Sequence, residues 1–182
     1  MIRPLKLASL ALVLAAGTTF ADDSVLVGGM EMYRTKNIIE NAVNSADHKT
    51  LVAAVKAAGL VDTLQGKGPF TVFAPTDAAF GKLPAGTVET LVKPESKSTL
   101  TSVLTYHVVP GKLGFKELSK LIKAGKGKAE LTTVNGGKLS VMMNGDHNIS
   151  LKDAKGGTSN ISTYDVNQSN GVIHVIDTVV MP

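Results

Sequence analysis

The side chains best equipped for chemistry are four histidines, His48, His107, His147 and His174, and their spacing offers no reactive centre. No pair stands in an HExxH arrangement, which would set two imidazoles on one helical face to hold zinc with a glutamate as base. No GxSxG elbow presents a serine, so no nucleophile can be paired from sequence with a histidine and a carboxylate. The chain has no cysteine, which removes thiol catalysis and cysteine-ligated zinc and leaves stability to packing without disulfides. Asp165, Asn167 and Ser169 have the spacing of the first ligands in an EF-hand loop. Asn170, however, stands where that loop needs glycine, and Ile176 where it needs an acid. Gly125-Lys126-Gly127-Lys128 lacks the GxxxxGK[ST] of a phosphate loop. No catalytic residue, metal or cofactor is assigned, and a hydrolase would need a constellation assembled only in space.

Charge and apolar patterning add weaker signals. Lys116–Lys128 holds five lysines against Glu117 alone. This reads as the solvated face of an amphipathic helix running into a basic loop, with attraction for anionic polysaccharide or lipid headgroups as the functional alternative. Met142-Met143 point to opposite faces of a regular strand, so one can fill the core while the other faces solvent or lines a groove for an apolar ligand. Asn148, Asn160 and Asn167 begin Asn-x-Ser sequons, which matter only if the chain passes through a glycosylating pathway.

The elements that would position these groups follow an export signal. Met1–Ala21 has a basic start at Arg3 and Lys6, an apolar run from Leu7 to Ala16, and a Thr-Phe-Ala end before Asp22-Asp23. That pattern predicts a signal peptide cleaved after Ala21 and a secreted or periplasmic product. Cleavage leaves 161 residues with 17 basic and 15 acidic side chains, a net charge of +2. Such a chain is long enough for one core and too weakly basic to suggest nucleic acid as a partner. No later stretch is long and apolar enough for a membrane-spanning helix, so no transmembrane anchor is expected.

Residues 22–45 read as an N-terminal leader. Asp22–Lys36 lacks a clear pattern and is expected to be loosely attached, though Met30, Met32 and Tyr33 could pack; Asn37–Ser45 has helical spacing. The domain proper is expected over 46–182. Asp47 is the predicted N-cap of a helix carrying Leu51, Val52 and Val55 and ending at Gly59. Phe70–Ala74 reads as a strand, Thr76 or Asp77 as the cap of a short helix, and Thr87–Leu91 and Glu95–Leu104 as further helices. A helix after Gly111 should turn Phe115, Leu118, Leu121 and Ile122 inward. Beyond Gly127 short runs are separated by Asn135-Gly136-Gly137, Asn144-Gly145-Asp146 and Lys155-Gly156-Gly157, which is hairpin chemistry. Val172–Val180 is nearly continuous in apolar and β-branched residues and should be a central strand buried on both faces, with His174 bonding a backbone group inside. Helices first and hairpins after predict an α+β fold.

Three stretches carry a family likeness. They are Gly68–Phe80 (GPFTVFAPTDAAF), Leu104–Gly111 (LTYHVVPG) and Asn170–Pro182 (NGVIHVIDTVVMP). Together they resemble the signature of the fasciclin-like domain family, over roughly Ala46–Pro182 and as a single-domain, secreted, bacterial-looking member. The resemblance implies an α+β domain with a wedge of mostly antiparallel short strands and a helical layer. In adhesive members a tyrosine–histidine pair and an aspartate–isoleucine pair are implicated in integrin contact; the matching positions are Tyr106, His107, Asp165 and Val166, with valine in place of isoleucine. His107 sits beside Val108 and Val109 on an expected strand, where a histidine satisfied within the core is the competing reading.

Two functional classes follow. The resemblance and export signal together imply a non-enzymatic adhesion module binding a cell-surface or extracellular protein or polysaccharide. The alternative is a carrier of an apolar ligand such as a carotenoid, as some fasciclin-like proteins are.

Overall fold

The computed structural model describes residues 24–182. The signal-peptide reading of Met1–Ala21 lies outside the described residues. The chain enters through a hairpin of β1 (Val25–Val27) and β2 (Met30–Met32). Helices α1 (Ile38–Ala42), α2 (Lys49–Ala58) and α3 (Val61–Gln65) lead to strand β3 (Phe70–Pro75). Helices α4 (Asp77–Gly81), α5 (Thr87–Leu91) and α6 (Lys97–Tyr106) follow, the last entered through a 3-10 turn at Pro94–Ser96. Strand β4 (Val108–Pro110) and helix α7 (Phe115–Ala124) precede the hairpin half. That half comprises β5 (Lys128–Thr132), β6 (Lys138–Met143), β7 (Ile149–Lys152), β8 (Thr158–Gln168) and β9 (Gly171–Ile176).

Seven strands pair in the order β4-β3-β9-β8-β7-β6-β5, and β3 with β9 is the parallel pair among them. The meander from β5 to β8 follows from the three Gly-containing turns, since each reverses the chain within the few residues a hairpin allows, and Ser169-Asn170 turns β8 into β9. Strand β8 is eleven residues long and changes register between Ile161 and Thr163 and again before Val166. Bulges of this kind bend a strand. Its first part pairs with β7 and its later part with β9, which makes the wedge.

The two outer signature stretches are neighbours in space. Phe70 lies opposite Gly171 and Pro75 opposite Ile176, in unbroken register. Every residue of β9 is buried, as expected of a strand covered on both faces. Alternation sorts the side chains: Val72, Ala74, Ile173 and Val175 face one core cluster, and Phe73 and Ile176 the other. The first cluster holds the helices α1, α2 and α6, while the second holds Leu118 and Ile122 of α7 with Leu139, Val141, Ile149 and Leu151 of the hairpins. At the entrance to the pair the backbones nearly touch. A Cβ on Gly171 would lie 2.1 Å from the Phe70 carbonyl oxygen, so only glycine fits there.

Four local expectations are corrected. Within the expected leader, the described residues 24–36 are not loose, because their hairpin buries Val27 and Met32 in the first core cluster. Asn41 holds it there, accepting from the Tyr33 amide at 3.1 Å and donating to Gln168 of β8. Asp47 does not cap α2. The N-cap is His48, which offers no side-chain bond, and Asp77 instead reaches across to accept from the Thr50 amide at 2.8 Å. Thr76 caps α4, so adjacent residues of one motif start two different helices. His107 is not on the strand: α6 continues through Tyr106 because Leu100, Val103 and Leu104 bury a helical face, His107 is its C-cap, and the strand covers Val108–Pro110. Leu121 is exposed, since α7 seats Leu118 and Ile122 and leaves its neighbour on the flank.

Candidate functional site

Tyr106 and His107 close α6 and are wholly enclosed. The Tyr106 hydroxyl donates to the Lys138 carbonyl at 2.6 Å and accepts from the Ala154 amide at 3.1 Å. It thereby ties α6 to the start of β6 and to the turn between β7 and β8. Gly137 makes room for the ring, because a Cβ there would stand 2.8 Å from it. The His107 Nδ1 donates to the Val103 carbonyl at 2.8 Å and its Nε2 accepts from the Val180 amide at 3.2 Å. Both nitrogens are engaged as a neutral imidazole requires. Burial is the main cause that lowers its pKa to about 4, outweighing the Val103 backbone bond and the Asp153 charge.

These partners leave neither side chain a free polar atom for a partner protein. Tyr106→Phe should lower the unfolding free energy by about 1–3 kcal/mol, because the Ala154 amide and Lys138 carbonyl lose a buried partner. Urea denaturation checks the size. A change in surface binding at unaltered stability would return Tyr106 to the contact surface.

The other predicted pair separates. Val166 is 1% exposed and belongs to the first core cluster. Asp165 is half-buried in a left-handed backbone conformation, φ +54°, which aspartate tolerates better than most residues. Its Oδ1 accepts from the Phe115 amide at 2.7 Å. Gly114, the N-cap of α7, has no side chain to do this, and a Cβ there would stand 2.8 Å from that same oxygen. Asp165 is thus the missing cap of α7, delivered from β8.

His174 lies directly behind. Its Nε2 donates to the Leu113 carbonyl at 2.8 Å, and its Nδ1 faces the Asp165 amide at 3.4 Å. The ring stacks on Phe73 and meets Tyr164 edge-on. It is buried and bonds a backbone group, in line with its position on the last strand.

Asp165 opens onto a polar cleft of about 550 Å³ lined by Arg34, Lys112, Gly114, Lys116, Glu117, Asp165 and Asn167. The loop after β2, the link into α7, the first turn of α7 and the bulged part of β8 converge there. The basic side chains Arg34, Lys112 and Lys116 suit carboxylate or sulfate groups, and the two carboxylates suit hydroxyl or ammonium donors. Among the described residues no cluster of three or more His, Cys, Asp or Glu side chains could hold a metal. Sequence reasoning found Asp165 but missed Arg34, Lys112 and Glu117. Arg34 lay in the segment read as loose, and no local pattern brings it to α7.

Apolar space lies elsewhere, between α1, α2 and the sheet. Two cavities of about 40 and 30 Å³ share Ile38, Ala42, Leu51 and Val72. Met142 and Met143 are both half-buried, and Met143 packs against the second core cluster.

A family model described as Fasciclin domain matches residues 46–182. The chain is 46% identical over 146 residues to Protein sll1483 of Synechocystis sp., covering 80% of this chain and 73% of that protein. It is 38% identical over 123 residues to the cell surface glycolipoprotein MPB83 of Mycobacterium bovis, covering 68% of this chain and 48% of the relative. In structure it is similar to a domain pair of the insect cell adhesion molecule Fasciclin I, with a TM-score of 0.70 at 19% identity, over 81% of this chain and 51% of that one. Among the described residues no helix is long and apolar enough to cross a membrane.

Proposed function

The chain belongs to the fasciclin domain family, and from that premise we propose that it is an exported, non-enzymatic module that engages a surface or extracellular partner through the cleft at Asp165. The supporting observation is the cleft itself. It is open, polar and lined by charges of both signs, and it adjoins the one predicted contact residue that is not enclosed. Export accords with the pattern of Met1–Ala21. The N-terminal sequence of protein recovered outside the cytoplasm should begin at Asp22.

The contact test uses Asp165→Asn. Asparagine accepts the same left-handed backbone and can still cap Phe115, so the melting temperature should stay within a few degrees while the charge is gone. Retention on extracellular material from the native host should fall about fivefold, the scale of one contact charge. Unchanged retention by Asp165→Asn would remove the cleft from the partner site.

The apolar-carrier reading is secondary. Its two cavities are far smaller than the roughly 300 Å³ or more of a typical small-ligand pocket. A visible absorbance band in protein purified from its native host would revive it.

A further inference from the structure

The lysines that line the cleft continue beyond it along α7. Lys112 and Lys116 line the cleft, and Lys120 and Lys123 carry on along the solvent side of α7, all of them exposed. The spacing from Lys116 is i+4 and i+7, a stripe of about 10 Å at helical rise. Lys126 and Lys128 extend it past the helix end. Among the described residues Lys128 has an acid partner, Glu130 at 3.5 Å, whereas Lys112, Lys116, Lys120 and Lys123 form no ion pair.

The charge is concentrated here. Six lysines and Glu117 give residues 112–128 a net +5, while the other eleven basic and fourteen acidic residues of 22–182 give −3. A molecule polarised in this way meets a negative partner with this face first. The stripe is also firmly seated, with Leu118 and Ile122 fully buried beneath it and the helix start held by Asp165.

The shape of the patch limits the partner. Leu121, the large apolar side chain that α7 exposes, points about 100–160° around the axis from Lys116, Lys120 and Lys123. The stripe therefore holds no apolar anchor of the sort a membrane-docking helix inserts among its cations. Regularly spaced cations leading out of a polar cleft match an extended polymer with repeating anions.

We propose that the track from Lys112 to Lys123 docks a linear acidic polysaccharide, which deepens and rests on the reading of the cleft as the partner site. The full-length secreted protein is tested on immobilised alginate and dextran sulfate, with neutral dextran and phosphatidylglycerol vesicles as the other arms. It should bind both acidic polymers and not dextran, with affinity falling as salt rises. Lys120→Glu/Lys123→Glu should weaken binding about tenfold or more, while the charge-matched Lys49→Glu/Lys56→Glu on α2 should change it less than about twofold at the same melting temperature. Equal weakening by both double variants would reduce the effect to net charge and overturn the proposal. Retention by the vesicles but not the polymers, or by neither, would overturn it too. The two readings fail separately: Asp165→Asn without effect on host material removes the cleft, and a silent Lys120→Glu/Lys123→Glu removes the track.

Discussion

Asn170→Ala is expected to lower the free energy of unfolding by about 3–5 kcal/mol, a large effect for a single polar side chain. Asn170 sits in the turn into β9 and is 7% exposed. Its Oδ1 accepts from the Ile38 amide at 3.1 Å, and its Nδ2 donates to the carbonyls of Leu64 at 2.7 Å and Gly66 at 2.9 Å. One side chain thus completes the start of α1 and the end of α3 while its own carbonyl accepts from the Phe70 amide at 3.1 Å. Alanine would strand three backbone groups at about 1–3 kcal/mol each, some of which water would recover. For a domain of this size the melting temperature should drop by roughly 10 °C. Asn170→Asp separates bonding from volume, because it is isosteric but turns a carboxylate oxygen toward two carbonyls. It should cost at least as much as alanine. A mild Asn170→Asp would show that shape, not hydrogen bonding, holds the three elements together.

Acidification should destabilise the domain between about pH 6.5 and 4. His107 is neutral in the fold with its pKa lowered to about 4, mainly by burial, whereas the unfolded chain protonates near 6.5. Above that range both states are neutral and the histidine adds no pH dependence. As pH falls through the window the unfolded state binds a proton that the folded state refuses, and stability is lost until the folded pKa is reached. The loss is about 3 kcal/mol for His107 at 1.36 kcal/mol per pKa unit. His48 and His174 are lowered by burial as well and act in the same direction. Urea midpoints should therefore fall steadily from pH 7 to pH 4.5, with a slope that exceeds one proton. A flat profile would mean that the buried imidazoles protonate without loss of structure.

Much of this architecture was legible because its causes are local. Asn-Gly and Gly-Gly turns between β-branched runs dictate hairpins, and Thr76 supplies a cap three residues before the amide it accepts from. Leu118 and Ile122 lie one helical turn apart and share a face whatever covers it. The legible part of the site was smaller. Asp165 stood out beside the last signature stretch, and the lysine run was visible as a run. Tyr106 and His107 stood out equally, but their types could not reveal that every polar atom is spent on Lys138, Ala154, Val103 and Val180. Those partners are distant in the chain for all but Val103, so no spacing rule reaches them.

From the chain alone came the α+β class, the hairpin meander, a buried last strand and the absence of thiol chemistry, since each depends on neighbouring residues or on composition. Tertiary structure decided what depends on contacts across tens of residues. It set β3 against β9 in parallel, drew the expected leader into the core, and let Asp77 and Asp165 cap helices that begin elsewhere. It also divided four equal candidates by exposure, enclosing Tyr106, His107 and Val166 and leaving Asp165 at the mouth of a charged cleft. Residue type specifies what a side chain can bond; only packing decides whether a neighbour has already claimed it.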